Sequence, residues 1–140
     1  VKNKKVVQIL KKRNNSLKNK NDQIFNISSK QVNDYLKQFG DFSAKNFRTW
    51  GANIELISQL CKLCNHNQYY TKNDIKKLLN QSIQKVAHRL HNTTSVCKNN
   101  YLDPELIKFF TNDHKKFLDL FTNHTRDKLS KCYISFLENL

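Results

Sequence analysis

The stretch SAKNFRTWGANIELISQLCKLC, residues 43–64, decides the fold class. Its apolar positions Phe47, Trp50, Ile54, Ile57, Cys61 and Cys64 advance in steps of 3, 4, 3, 4 and 3. That is the seam of an α-helix, not the alternation of a strand. Ser43 stands where a hydroxyl can cap the first helical turn. A helix this long, with one continuous apolar edge, needs partners to bury it, and the flanking sequence supplies them.

Downstream, Thr71 and Asp74 have the spacing of a capping box. They open a second long helix with Ile75, Leu78, Leu79, Ile83, Val86, Ala87 and Leu90 on its inner face. Ser95 to Tyr101 fits a short helix. Asp103-Pro104-Glu105 then combines an N-cap, a first-position proline and a first-turn acid. Leu106, Phe109 and Phe110 follow it, then Phe117, Leu118 and Phe121, and a last helix carries Leu129, Cys132, Tyr133, Phe136, Leu137 and Leu140. Upstream, Ser29 is expected to cap a helix with Val32, Tyr35, Leu36 and Phe39 on one face, ending near Gly40. Nearer the start, Val6-Val7-Gln8-Ile9-Leu10 is β-branched and apolar between lysines and reads as a strand. Asn14-Asn15-Ser16 reads as a turn and Ile24 to Ile27 as a short extended piece. The expected class is mainly α, with a small strand element at the amino end.

The 140 residues suffice for one domain with its own core, and two glycines with one proline suit helices. No run of about 18 apolar residues is present, so nothing is expected to span a membrane. The lysine-rich start lacks the apolar segment of a signal peptide. The chain opens at Val1 and contains no methionine, and is expected to be cut from a longer protein.

Charge is unevenly spread. The formal net charge is +14. Lys2, Lys4, Lys5, Lys11, Lys12, Arg13, Lys18 and Lys20 crowd the first twenty positions without one acid, whereas residues 103–140 balance six acids with six bases. A one-sided cationic surface is the footprint of a protein that binds a polyanion, most simply nucleic acid, and a solubilising, lysine-rich surface is the alternative.

Four cysteines (Cys61, Cys64, Cys97 and Cys132) without secretory features indicate reduced thiols. The glycosylation patterns at Asn14, Asn26, Asn92 and Asn123 therefore carry no meaning. Cys61-Lys62-Leu63-Cys64-Asn65-His66 invites a zinc reading. Both cysteines, however, continue the apolar seam, and no second ligand pair follows at finger spacing. No metal and no cofactor are expected.

Two segments carry chemistry: Ser43-Ala44-Lys45-Asn46-Phe47-Arg48-Thr49-Trp50, and Leu90 to Tyr101, which reads LHNTTSVCKNNY. Arg48 is one position past the seam residue Phe47, about 100° around the helix, which puts it on the rim of the buried face. A guanidinium offers a fixed charge and a planar fork for two phosphate oxygens. A tyrosine can attack phosphorus, although at pH 7 only about one in a thousand is ionised. Taken alone, Arg48 is an ordinary surface arginine and Tyr101 a packing residue before a capped helix.

Together the two segments resemble the arginine and nucleophile motifs of type IB DNA topoisomerases, most closely the compact poxvirus, giant-virus and bacterial forms. The resemblance implies the fold shared by these enzymes and the tyrosine recombinases, with residues 1–140 as the carboxyl-terminal part of a single catalytic domain. It implies relaxation of supercoiled double-stranded DNA through a 3′-phosphotyrosyl intermediate and religation, without ATP or metal, by a monomer. Tyr101 would be the nucleophile and Arg48 a phosphate-binding residue. Asn92 stands where poxvirus enzymes carry a histidine, and giant-virus and bacterial relatives often carry asparagine; its amide can still donate to a nonbridging oxygen. Lys45, Thr49 and Lys98 would touch DNA. Tyr35, Tyr69, Tyr70 and Tyr133 have no comparable setting.

The family also uses a second arginine and a general-acid lysine on a hairpin, both upstream of the Arg48 motif, and no lysine in residues 1–20 has a matching context. These 140 residues alone are accordingly expected to cleave DNA poorly or not at all. A tyrosine recombinase is the nearest alternative, but such enzymes usually follow the central arginine with histidine and carry Gly-His before the tyrosine segment. Here Thr49-Trp50 and His91-Asn92 occupy those places. A non-catalytic DNA-binding module is the third reading. The expected location is wherever the genome is: the cytoplasm of a bacterium or of a virus-infected cell, the virion, or otherwise the nucleus.

Overall fold

A computed structural model describes residues 3–19, 21–122 and 125–140. Lys2 and Lys20 of the basic cluster, and Asn123 of the last glycosylation pattern, lie outside the described residues. Among the described residues the chain is mainly helical, with no strand. It divides into two compact units, Val1–Ala44 and Lys45–Leu140.

The amino-terminal unit corrects the expected strand element. Val6 to Leu10 lies inside helix α1, Lys4–Asn15. The Asn3 side chain accepts from the amides of Lys5 and Val6, and Ser16 closes the other end on the carbonyls of Arg13 and Asn14. Val7, Leu10 and Leu17 are half-buried while Val6 and Ile9 face solvent, a helical rather than an alternating pattern. A lone strand leaves its backbone unpaired, whereas a capped helix satisfies its own amides, so β-branched content loses to hydrogen-bond accounting. Ile24 to Ile27 is likewise irregular and not a strand. The Arg13 guanidinium lies 5.0 Å from the Phe25 ring centre. Helix α2 spans Ser29–Leu36 and is capped by Ser28, one residue earlier than expected, because Gln31 completes a capping box with it. A 3₁₀ turn over Lys37–Phe39 then ends at Gly40, whose φ of 144° suits glycine.

The second unit is built around α3, Ala44–Leu63. Every residue from Ala52 to Ile57 is buried, so this helix is surrounded rather than merely edged by apolar partners. Phe47, the first position of the sequence seam, is instead 57% exposed. Helix α4, Lys72–Leu90, starts with the expected Thr71–Asp74 capping box and buries Ile75, Leu79, Ser82, Ile83, Val86 and Ala87. Helix α5, Thr94–Tyr101, is capped by the Thr93 hydroxyl on the Val96 amide.

Asp103 then caps α6, Pro104–Asn112. Asp113 breaks the next apolar run in two by ending α6 and capping α7, His114–Phe121. Helix α8 runs from Arg126 to Glu138. Phe110, Phe117 and Phe121 are fully buried, and Phe117 lies 5.1 Å and 4.8 Å from the other two. Among the described residues, no helix is long and apolar enough to cross a membrane.

Candidate nucleic-acid cleavage site

Three helix ends converge on Arg48. It sits in the second turn of α3, and its guanidinium donates to the carbonyl oxygen of Leu90, the last residue of α4, at 2.5 Å. The same guanidinium lies 5.2 Å from the ring centre of Tyr101, the last residue of α5. A cation over an aromatic face is attractive on its own account and fixes both side chains. Cys97, one turn before Tyr101, is fully buried. Burial raises its thiol above the ordinary value, and the charge of Arg48 pulls the other way.

The chain turns at His91 to reach Asn92. His91 takes the left-handed conformation (φ 54°, ψ 43°) just past α4. The amides of His91 and Asn92 return to the carbonyls of His88 and Ala87 at 3.1 Å and 3.0 Å. These two bonds satisfy carbonyls that the helix end leaves open. The Asn92 side-chain Nδ2 is buried and has no hydrogen-bond partner among the described residues. A buried donor without an acceptor is costly unless something else supplies one.

Asn53 joins the parts and was not singled out in the sequence. It is 2% exposed and uses its whole amide. Nδ2 donates to the carbonyl oxygens of Thr49 at 3.0 Å and Tyr101 at 3.1 Å, and Oδ1 accepts from the Asp103 amide at 2.9 Å. The arginine helix and the Tyr101 segment are thus tied backbone to backbone through one side chain. The available signal was a polar residue next to the apolar seam, one turn after Trp50, but its partners lie about fifty positions away.

Glu55 is the second buried polar residue of α3. Its Oε2 is held by Arg89 and lies 3.9 Å from Arg126 of α8, while Oε1 accepts from Gln59 at 2.8 Å. Arg48, Gly51, Glu55, Arg89, Leu90 and Arg126 line a common cleft of about 190 Å³. Three arginines and one carboxylate in its lining leave this cleft cationic.

Of the residues expected at the site, Arg48, Thr49 and Tyr101 are brought together with the turn that carries Asn92. Lys45 is exposed on the first turn of α3, one turn before Arg48, and Lys98 is exposed one turn before Tyr101. Thr49 engages through its carbonyl. The other tyrosines are placed differently. Tyr69 is 84% exposed, and Tyr70 is occupied by the Asn65 amide and Gln68. Tyr35 edges onto the Phe39 ring in the amino-terminal unit. Tyr133 is buried and donates to Asp103. Cys61 and Cys64 continue the seam and pack half-buried against the core.

Comparison with known proteins bears on this arrangement. The chain is similar to the DNA topoisomerase 1B of Acanthamoeba polyphaga mimivirus, with 25% identity over 101 residues, 71% of this chain and 30% of that protein. It therefore spans about a third of the length of the curated relative it matches. No solved structure matches the chain significantly. The family model described as the catalytic core of eukaryotic DNA topoisomerase I matches residues 1–119, so the chain belongs to the DNA topoisomerase I family.

Proposed function

We propose that this chain carries the nucleophile half of a type IB topoisomerase site, acting on double-stranded DNA. The Tyr101 hydroxyl attacks a backbone phosphorus and loses its proton. A phosphorus–oxygen bond to Tyr101 forms as the bond to the 5′-oxygen breaks, and the departing oxygen takes up a proton to become a 5′-hydroxyl. The reverse attack restores the diester, so no external energy source enters. Arg48 grips the nonbridging oxygens, where charge accumulates, and Asn92 adds a neutral donor. The observation that supports this reading is the Arg48 guanidinium held over the Tyr101 ring at 5.2 Å by the carbonyl that ends α4.

The test uses supercoiled plasmid without ATP or Mg²⁺, quenched with sodium dodecyl sulfate. It is run with the 140-residue chain and with a longer protein that joins the chain to the family's upstream arginine and lysine. The expected result is a denaturation-resistant protein–DNA adduct and relaxed topoisomers from the longer protein, both lost in Tyr101→Phe, with little adduct from the chain alone. DNA binding without any Tyr101-dependent adduct would leave a binding module. Cleavage restricted to one recombination sequence would favour a recombinase.

A further inference from the structure

The nucleophile segment is tied to the last helix as well as to α3. The Tyr133 hydroxyl on α8 donates to Asp103 Oδ2 at 2.9 Å. Asp103 Oδ1 accepts from the Glu105 amide at 2.9 Å, and the Asp103 amide donates to Asn53 Oδ1 at 2.9 Å. Asn53 Nδ2 closes the path on the carbonyl oxygen of Tyr101 at 3.1 Å. Tyr133 is 3% exposed, and its ring lies 5.1 Å from that of Trp50, two residues after Arg48. A chain of partly buried bonds in which every member is occupied restricts the geometry on offer, so that movement at one end is felt at the other. Burial, and the acceptor carboxylate, hold the Tyr133 phenol above its ordinary value, so it remains a proton donor at any neutral pH.

We infer that Tyr133 is a positioning residue for Tyr101, acting through Asp103 and Asn53, and that α8 belongs to the cleavage apparatus although the family match ends at residue 119. The inference rests on the topoisomerase reading. Tyr133 touches neither Tyr101 nor DNA in it. Its part is to fix where the backbone of Tyr101 lies, and hence the line along which the hydroxyl meets phosphorus; small misplacements there are costly to rate.

The test pairs Tyr133→Phe, which keeps the ring against Trp50, with Asp103→Ser, which keeps a good N-cap but withdraws the acceptor. In the longer protein, single-turnover adduct formation should slow about tenfold in each variant, with DNA affinity unchanged within about twofold. The double variant should be no slower than either single, because both cut the same path. In the 140-residue chain itself, hydrogen exchange at the Asp103 amide should quicken in Tyr133→Phe while that at Ile83 in α4 does not. Unchanged adduct formation, or an unchanged Asp103 amide, would overturn the inference and leave the topoisomerase reading standing. A fall in rate matched by an equal fall in DNA affinity would also overturn it, reducing Tyr133 to a packing residue. If the unsubstituted longer protein forms no Tyr101-dependent adduct, both readings fall.

Discussion

Glu55 on α3 is held by Arg89 from the last turn of α4, yet the two partners are unequally placed: the Glu55 side chain is 11% exposed and that of Arg89 60%. Removing the arginine strands a charge that water barely reaches, whereas removing the carboxylate leaves a guanidinium that solvent can serve. The two substitutions should therefore differ. Arg89→Ala is expected to cost about 2 kcal/mol, softened by Arg126 and Gln59 nearby, and Glu55→Gln less than half of that. Urea denaturation of the two variants reads the order directly, and equal losses would contradict it.

Gly51 occupies a helical position in the lining of the Arg48 cleft, and a Cβ built there meets nothing within 4 Å. Gly51→Ala should stabilise the free protein by about 1 kcal/mol, since a helical glycine carries an entropic cost without a steric reason. The same methyl group would stand where DNA is proposed to approach. The expected outcome is a higher melting temperature together with weaker DNA binding, seen by thermal unfolding and fluorescence anisotropy.

At Asn92, stability can be read apart from the proposed chemistry. Its buried Nδ2 donates to no described residue, so Asn92→Ala forfeits no native hydrogen bond. Stability should change by less than about 1 kcal/mol, and adduct formation in the longer protein should fall about tenfold or more. Loss of stability comparable to a buried, bonded asparagine would show that the amide already has an internal use.

Cys61 and Cys64 bear on pH. Burial raises both thiols from 9.0 to about 11. A group that holds its proton more tightly when folded stabilises the fold fully below its unfolded value, and that contribution is lost as pH rises through the folded value. Stability should accordingly decline from pH 9 to pH 11, and less steeply in a Cys61→Ala, Cys64→Ala double variant than in the unsubstituted chain. At pH 8 both thiols should resist iodoacetamide until the protein unfolds, as mass spectrometry would reveal.

The helices whose ends are written in local chemistry were the legible ones. The Thr71–Asp74 box and Asp103-Pro104-Glu105 each hold their own start signal, and both helices begin there. Asp113 escaped notice because one residue ends a helix and caps the next, leaving the apolar spacing almost intact across the break. Helix α1 was misread because Val6, Val7 and Ile9 suggest a strand, while its deciding features are a single asparagine cap and the lack of any pairing partner.

At the site, Arg48 and Tyr101 could be singled out through motifs, and the structure brings them together. The members that join them could not be. Asn53, Glu55 and Tyr133 look like ordinary polar or apolar helix residues until the fold supplies partners about thirty to fifty positions away.

Between Tyr101 and the first turn of α6 there are only two residues, Leu102, which is buried, and Asp103, which is bonded on three sides. In the proposed reaction, a DNA end attached to Tyr101 would pull on a short, anchored span rather than on a slack loop. While the opposite end of the broken strand rotates, torque would pass straight into the helical core, and the attached end would stay close enough to be rejoined.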